Sequence, residues 1–404
     1  MSYNSTYLKY NALASDLKIE IKRVNSSGVY ETQWKNIEKL VANQVIVHDS
    51  IPTMSYKLPN ESYSYGVLQV PDCTLKLLSV NGEFSSQDNS NSIFNGFIRH
   101  KTQVLISHGY KNPITDTIDY IEVYRGFINE KSKNTKVSNN NTYQDLFIED
   151  ALTFLLKEYT FADFAVTSRV LNDLIYELLN RSEFTNFLSV NSNNITAGYN
   201  IQYIDDAEIE GQTQWLTILQ DLSIGHSYLY QKNGVVYYKP INQSSAGGAS
   251  PFRFNSDKII RFDNYSDGIK EVFEKLYWRD TALSFISPTN LYNRSKTFDI
   301  ESITDSTDRL NVLAATGTRT SKVRSKYKIK VVLYVNLFIL DKLSVIAGDY
   351  ITDDSLVWGQ GNWDEQDWAP IVGASFSDSN FVWTIKEIVH NFSSGTTELT
   401  VEEL

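Results

Sequence analysis

The chain has 404 residues, 42% of them hydrophobic, enough apolar material for sizeable cores in roughly two to four domains. A formal net charge of -11 argues against a surface built wholly for nucleic acid, because phosphate contacts need clustered Lys and Arg. A single cysteine, Cys73, excludes an intrachain disulfide framework and any multi-cysteine zinc site.

Aromatic content of 13%, with 25 Tyr and 20 Phe, favours strands over helices, since these side chains fill a pleated, half-buried surface. The N-terminal stretch MSYNSTYLKYNALASDLKIEIK lacks a charged region followed by an apolar core, and no run approaches the roughly 20 apolar residues that span a bilayer. A soluble product made without a secretion signal is expected. From Asp16 to Lys22 apolar and charged residues alternate, which predicts a first strand with one wet face. Turn-rich stretches such as VNSSGVYETQ and NGEFSSQDNSNS then separate short apolar runs at 45–47, 73–80, 102–107 and 120–128. Residues 1–148 therefore read as a mainly β domain.

The character changes next. Leu171, Leu174, Ile175, Leu178 and Leu179 fall at helical spacing, with Ser168 as the expected N-cap. A second helix is predicted from Trp215, Ile218, Leu219 and Leu222, ending near Gly225. Asn233-Gly234 between two Tyr- and Val-rich runs is the strongest hairpin signal in the chain. Residues 149–245 thus read as a small α/β insert, closed by the linker-like NQSSAGGASP.

From about Phe252 the composition returns to strands, giving a last β domain over 246–404. In SKVRSKYKIKVVLYV, Lys322, Arg324, Lys326, Lys328 and Lys330 occupy alternate positions and would share one face of a strand, with Val323, Tyr327, Ile329 and Val331 on the other. Two readings stand: a solvated or edge strand guarded by lysines, or a strand facing an acidic neighbour or polyanion. Trp358, Trp363 and Trp368 form an exposed-looking aromatic cluster suited to a domain or partner contact, or to stacking on sugar. The chain ends in FVWTIKEIVHNFSSGTTELTVEEL, a hairpin in which Trp383 and Ile385 alternate with polar residues before the phase slips to Ile388, as a bulge requires. Leu399 and Val401 form the apolar face of the returning strand, and a strand reaching the terminus is expected to be held by its neighbours. IEVYRGFINEKSKNTKVS faintly echoes this hairpin, which suggests two related β domains.

Chemistry is harder to find. The five histidines, His48, His100, His108, His226 and His390, show no ligand spacing, and His226 is placed to meet a helix C-terminus. Acidic clusters at Asp205-Asp206, Asp353-Asp354 and Asp364-Glu365 match neither a spaced calcium loop nor a demonstrated carboxylate pair. No nucleophile elbow or phosphate loop occurs, and Cys73 reads as a small buried hydrophobe. No cofactor and no enzymatic activity are expected.

The order of segments resembles the baseplate hub, or central tail, proteins of tailed bacteriophages and related contractile injection systems. Four stretches carry the likeness: the early β region leading into YRGFIN, the helix and hairpin of WLTILQDLSIGHSYLYQKNGVVYYKP, the turn at Gly348-Asp349 in LSVIAGDYIT, and the terminal hairpin. The resemblance implies an α+β, predominantly β chain with two tail-tube-like β-barrel domains flanking the insert. It implies a homotrimer whose six barrels face a hexameric tail tube at the virion tail tip, made in a bacterial cytoplasm, with tail-tube and tail-tip proteins as partners. Trp383, Ile385, Leu399 and Val401 would belong to the ring, and the basic ribbon would line a DNA-conducting lumen or meet an acidic neighbour. No lysozyme, peptidase or spike follows the second barrel, so cutting and puncture would fall to other proteins. The alternatives are a receptor- or carbohydrate-binding tail component using the tryptophans, or a glycosidase using the acidic clusters.

Overall fold

A computed structural model describes residues 16–40, 54–57, 66–68, 73–79, 82–85, 88–111, 115, 117–129, 135–138, 141–164, 166–224, 226–240, 252–255, 259–266, 272–279, 281–288, 291–346, 383–392 and 394–403. In chain order the first strands are β1 (Asp16–Asn25), β2 (Lys35–Asn36), β3 (Met54–Lys57), β4 (Gly66–Val67), β5 (Cys73–Leu78), β6 (Phe97–Lys111), β7 (Ile118–Ile128), β8 (Thr135–Ser138) and β9 (Asn141–Asp150), with a helical turn α1 (Ile37–Leu40) after β2. Four helical segments follow: α2 (Ala151–Glu158), α3 (Leu171–Leu179), α4 (Ser182–Thr185) and α5 (Trp215–Leu222). The hairpin β10 (Ser227–Lys232) and β11 (Val235–Pro240) closes the insert. Then come β12 (Phe252–Asn255), β13 (Ile259–Ser266), β14 (Lys275–Trp278), β15 (Ser284–Ile286), β16 (Ser295–Phe298), the helix α6 (Ser306–Thr320), β17 (Lys326–Val332), β18 (Lys342–Ile346), β19 (Trp383–Asn391) and β20 (Thr396–Glu403). Strands predominate, as the aromatic content predicts. Among the described residues no helix is long and apolar enough to cross a membrane.

Local sequence accounts for the most regular parts. Asn233 and Gly234 both adopt positive φ, 52° and 72°, and join Lys232 and Val235 as a two-residue turn. The terminal hairpin pairs β19 with β20, with Gly395 at φ 63° in the turn and a register shift between Ile385 and Glu387 where the apolar phase slips. Helices α3 and α5 bury the leucine, isoleucine and tryptophan faces read from their spacing. One cap differs. Val170, not Ser168, precedes the first turn of α3, because the Glu177 carboxylate folds back to accept the Thr167 and Ser168 N–H groups.

Long-range pairing departs more from the expected order of domains. Seven strands form the sheet β2-β1-β6-β7-β9-β5, with β8 also on β9, and seven form β12-β18-β19-β20-β17-β13, with β3 also on β19. Strand β3 thus leaves the N-terminal region to join the C-terminal sheet, and β4 adds in parallel to β10 of the insert. The echo of the terminal hairpin is not itself a hairpin: β7 and β8 both pair with β9, β8 in a register that puts Ser138 opposite Asn141. One continuous apolar cluster joins the two large sheets, from Ile19, Ile21 and Ile106 to Ile329, Trp383, Ile385 and Val401. A second cluster holds the insert helices, and it also takes in Leu276, Trp278, Phe298, Val312 and Leu313. Residues 272–320, expected as strands of the last β domain, therefore form a small sheet, β15-β14-β16, and a helix that pack on the insert.

Gly66 shows how tightly the crossing segment is held. Its φ is 126°, and a Cβ would lie 2.8 Å from the Gln220 Cα and carbonyl oxygen, while Gln220 accepts the Val67 N–H at 3.1 Å. Gly66→Ala combines backbone strain with a clash and should destabilise the protein by on the order of 3 kcal/mol in denaturant titrations. Gly28→Ala, at φ 79° with no atom within 4 Å of the added carbon, should cost only about 1 kcal/mol.

Candidate functional site

The basic ribbon begins later than its sequence period suggests. Strand β17 starts at Lys326, so Lys322 and Arg324 belong to the lead-in from α6 and do not share the strand face. It is not an edge strand, since β20 pairs with one side and β13 with the other. Its basic face meets acidic partners within the same chain: Lys326 sits opposite Glu402, Lys330 opposite Glu398, and Lys328 opposite Asp263 on the other flank. Lys330 Nζ lies 3.1 Å from Glu398. Lys322 and Lys328 are exposed, and Lys326 is buried.

Glu402 is the centre of this region. Its carboxylate is buried and lies 3.0 Å from both Lys386 on β19 and Arg319 at the end of α6. Burial alone would raise the Glu402 pKa, but the charges of Lys386, Arg319 and Arg324 outweigh it and hold the group at about 2. Burial, then repulsion from Arg319, pulls Lys386 down to about 8. The face opposite Leu399 and Val401, on which the glutamates sit, is thus largely enclosed: Thr396, Thr400 and Glu402 are buried, and Glu398 is exposed. Trp383, Ile385, Leu399 and Val401 point the other way and lie buried in the chain's own core. Neither hairpin strand has a free edge, because β20 lies between β19 and β17, and β19 pairs with β18 and β3 as well as β20.

A second polar junction forms where both sheets meet the insert hairpin. His390 Nδ1 lies 3.1 Å from the Thr397 hydroxyl, His108 packs on Phe392, and Lys232 donates to the Asn336 carbonyl at 3.0 Å and faces the buried Asp341 at 3.5 Å. Burial, followed by the nearby His108 and Lys232, lowers His390 to about 3. His226 meets the Leu222 carbonyl at 3.0 Å, the helix C-terminus its position predicts, and burial lowers it to about 4. Asp150 caps α2 through the Thr153 N–H and accepts from Gln231, yet burial raises it to about 6. A cavity of about 20 Å³, lined by Tyr124, Arg125, Gln231, Lys232, Phe338 and His390, has room for about one water.

The remaining candidates are placed as follows. Asp205 caps a short turn and Asp206 pairs with Arg169. Cys73 is buried on β5. No group of three or more His, Cys, Asp or Glu is gathered for a metal among the described residues. Trp358, Trp363 and Trp368, the acidic clusters at Asp353-Asp354 and Asp364-Glu365, and the turn at Gly348-Asp349 lie outside the described residues. Arg319, Lys386 and Glu402 were not picked out from the sequence. In the sequence they stand only as isolated charges, Arg319 before the basic ribbon and Lys386 and Glu402 within the terminal hairpin, with nothing local to bring them together.

No family model matches the sequence, and no curated protein does. Solved structures do match in fold. The tail protein from Neisseria meningitidis is 12% identical at a TM-score of 0.51, with 96% of each chain covered. A chain of the lidded Francisella PdpA-VgrG complex is 13% identical at 0.50, covering 99% of this chain and 54% of that one. The 43 kDa tail protein of prophage MuSo2 from Shewanella oneidensis is 12% identical at 0.48, covering 97% and 98%. At such identities the first two likenesses establish a shared fold.

Removing the Glu402 charge strands two largely enclosed cations, Arg319 and Lys386. Glu402→Gln should cost about 3–5 kcal/mol at neutral pH by chemical denaturation. Its folded value of about 2 lies below its ordinary 4.5, so the contribution is present above pH 4.5 and lost as pH falls toward 2; the variant should lack that acid limb. His226 and His390 also lose stability as pH falls from 6.5 toward 4 and 3, whereas Asp150 opposes them, being best accommodated below 3.8 and penalised above 6. Asp150→Asn, which keeps a capping oxygen, should therefore steepen the loss of melting temperature between pH 6.5 and 4.

Proposed function

We propose that the chain is a structural baseplate hub protein of a phage or phage-like tail, assembling as a homotrimer that adapts a hexameric tail tube to a threefold tip and continues the lumen for genome passage. The observation that carries this reading is the end-to-end fold likeness to the Neisseria meningitidis tail protein. The arrangement of the two large sheets supports it. Each has a four-strand centre, β1-β6-β7-β9 in one and β17-β20-β19-β18 in the other, flanked on both sides by an additional strand. Their centres run first-second-third-fourth and first-fourth-third-second along the chain, which is one circular order if each sheet closes into a barrel.

In this reading residues 1–148 supply the first barrel and 246–404 the second, with β3 crossing into the second and residues 272–320 layered on the 149–245 insert. Three copies then offer six barrels to the tube, a match of threefold to sixfold symmetry through duplication. Lys322 and Lys328 are the exposed members of the basic ribbon and would face the lumen or an acidic ring neighbour. Trp358, Trp363 and Trp368 would serve a domain or partner contact. The role is non-enzymatic and needs no cofactor, and its place is the virion tail tip.

Light scattering of the purified chain over a range of concentrations, with tail-tube protein added, tests this function. The expected result is a trimer, or a monomer that trimerises on the tube. A monomer at every concentration that ignores the tube would overturn it.

A further inference from the structure

The sequence holds three Asn-Gly pairs, at 81–82, 95–96 and 233–234, and Asn81 lies outside the described residues. Such a pair is chemically labile. With no side chain on the second residue, its backbone nitrogen can approach the asparagine Cγ unhindered. Whether it does so in a folded chain depends on what holds the two residues, and Asn95-Gly96 and Asn233-Gly234 are held very differently.

Asn233-Gly234 is locked. Lys232 and Val235 pair on either side of it, Gly234 is buried, and its N–H donates to the Gln231 side-chain oxygen at 3.2 Å. A Cβ on Gly234 would lie 2.8 Å from the Arg125 guanidinium carbon. Swinging the Gly234 nitrogen toward the Asn233 side chain breaks that hydrogen bond and disturbs both strands of the hairpin. Asn95-Gly96 instead projects into solvent just before β6. Both residues are exposed, and nothing lies within 4 Å of a Cβ built on Gly96, whose φ is 75°. The Phe97 N–H closes the turn on the Phe94 carbonyl at 2.9 Å, and Asn95 Nδ2 donates to the Asn89 carbonyl at a long 3.3 Å.

We propose that Asn95 is a site of spontaneous deamidation. The Gly96 nitrogen loses its proton to solvent base and attacks Asn95 Cγ. The N–Cγ bond forms, the Cγ–Nδ2 bond breaks, and Nδ2 takes a proton from water and leaves as ammonia. A second water opens the resulting succinimide at either carbonyl, which gives aspartate or isoaspartate and one added negative charge. Water is the only co-reactant. Isoaspartate carries the main chain through Cβ and so adds a bond to the path between Phe94 and Phe97. Phe97 transmits that change, because it pairs with Asn25 and lies under the Arg23 guanidinium, 4.0 Å from its ring centroid, while Arg23 also donates to the Ile93 carbonyl. The modification loosens the end of the β1–β6 ladder.

Peptide mapping by mass spectrometry of the full-length chain, held folded at mildly alkaline pH, reads the reaction as the exchange of NH for O at Asn95. Asn95 should convert about tenfold or more faster than Asn233, and in denaturant the two rates should converge, since the fold is what separates the pairs. Gly96→Ala, whose methyl meets no neighbour, should slow Asn95 by about tenfold or more. Chain carrying isoaspartate at 95 should melt below Asn95→Asp, which bears the same charge on an unaltered backbone path. Equal rates in the folded chain, an Asn95 that converts only in denaturant, or a rate unchanged by Gly96→Ala would overturn the site. Equal melting of the isoaspartate form and Asn95→Asp would overturn the loosening of the ladder.

Discussion

Backbone pairing between strands far apart in the chain is the constraint on which the rest of this structure depends. Strand β3 finds its partner on β19, more than three hundred residues later, and β20, the last strand, lies between β19 and β17. The C-terminal sheet is therefore incomplete until β20 is in place. Such topology folds slowly, because loop-closure entropy precedes the contacts that offset it. It also ties the two large sheets and the insert into one body, since neither β3 nor β4 can leave its sheet without breaking main-chain hydrogen bonds in a distant region.

The side chains reinforce those crossings with polar groups kept out of water. Glu402 draws α6 onto the terminal hairpin through Arg319 and Lys386, while Lys232 reaches from the insert hairpin to Asn336 and Asp341. Buried ion pairs add little net stability over apolar packing, but they are costly to break on one side only, which makes them effective at fixing one arrangement of elements. The buried histidines His226, within the insert, and His390, where the sheets meet its hairpin, add to the sensitivity to acid.

Much of the local structure was legible in the sequence, and the reasons are local. Asn233-Gly234, the phase slip before Ile388 and the leucine stripes of α3 each act within a few residues. The crossings were not legible because β3 and β4 are too short to show a period, and their partners lie elsewhere in the chain. Helix α6 escaped for a different reason. Its Thr-rich, Gly317-containing sequence has low helix propensity, and its inward charges and outward Leu310 run counter to the usual amphipathic pattern. The lysines of β17 were visible, but their acidic partners depend on a register that only the folded sheet sets.

The proposed hub places two sheets of like circular order in each of three copies, so that a threefold assembly meets a sixfold tube. Electron cryomicroscopy of the chain bound to the end of its tail tube addresses that claim most directly. The account predicts three copies whose N-terminal and C-terminal sheets alternate as six closed barrels around a continuous lumen. A ring formed by only one kind of sheet, or by a number of copies other than three, would contradict it.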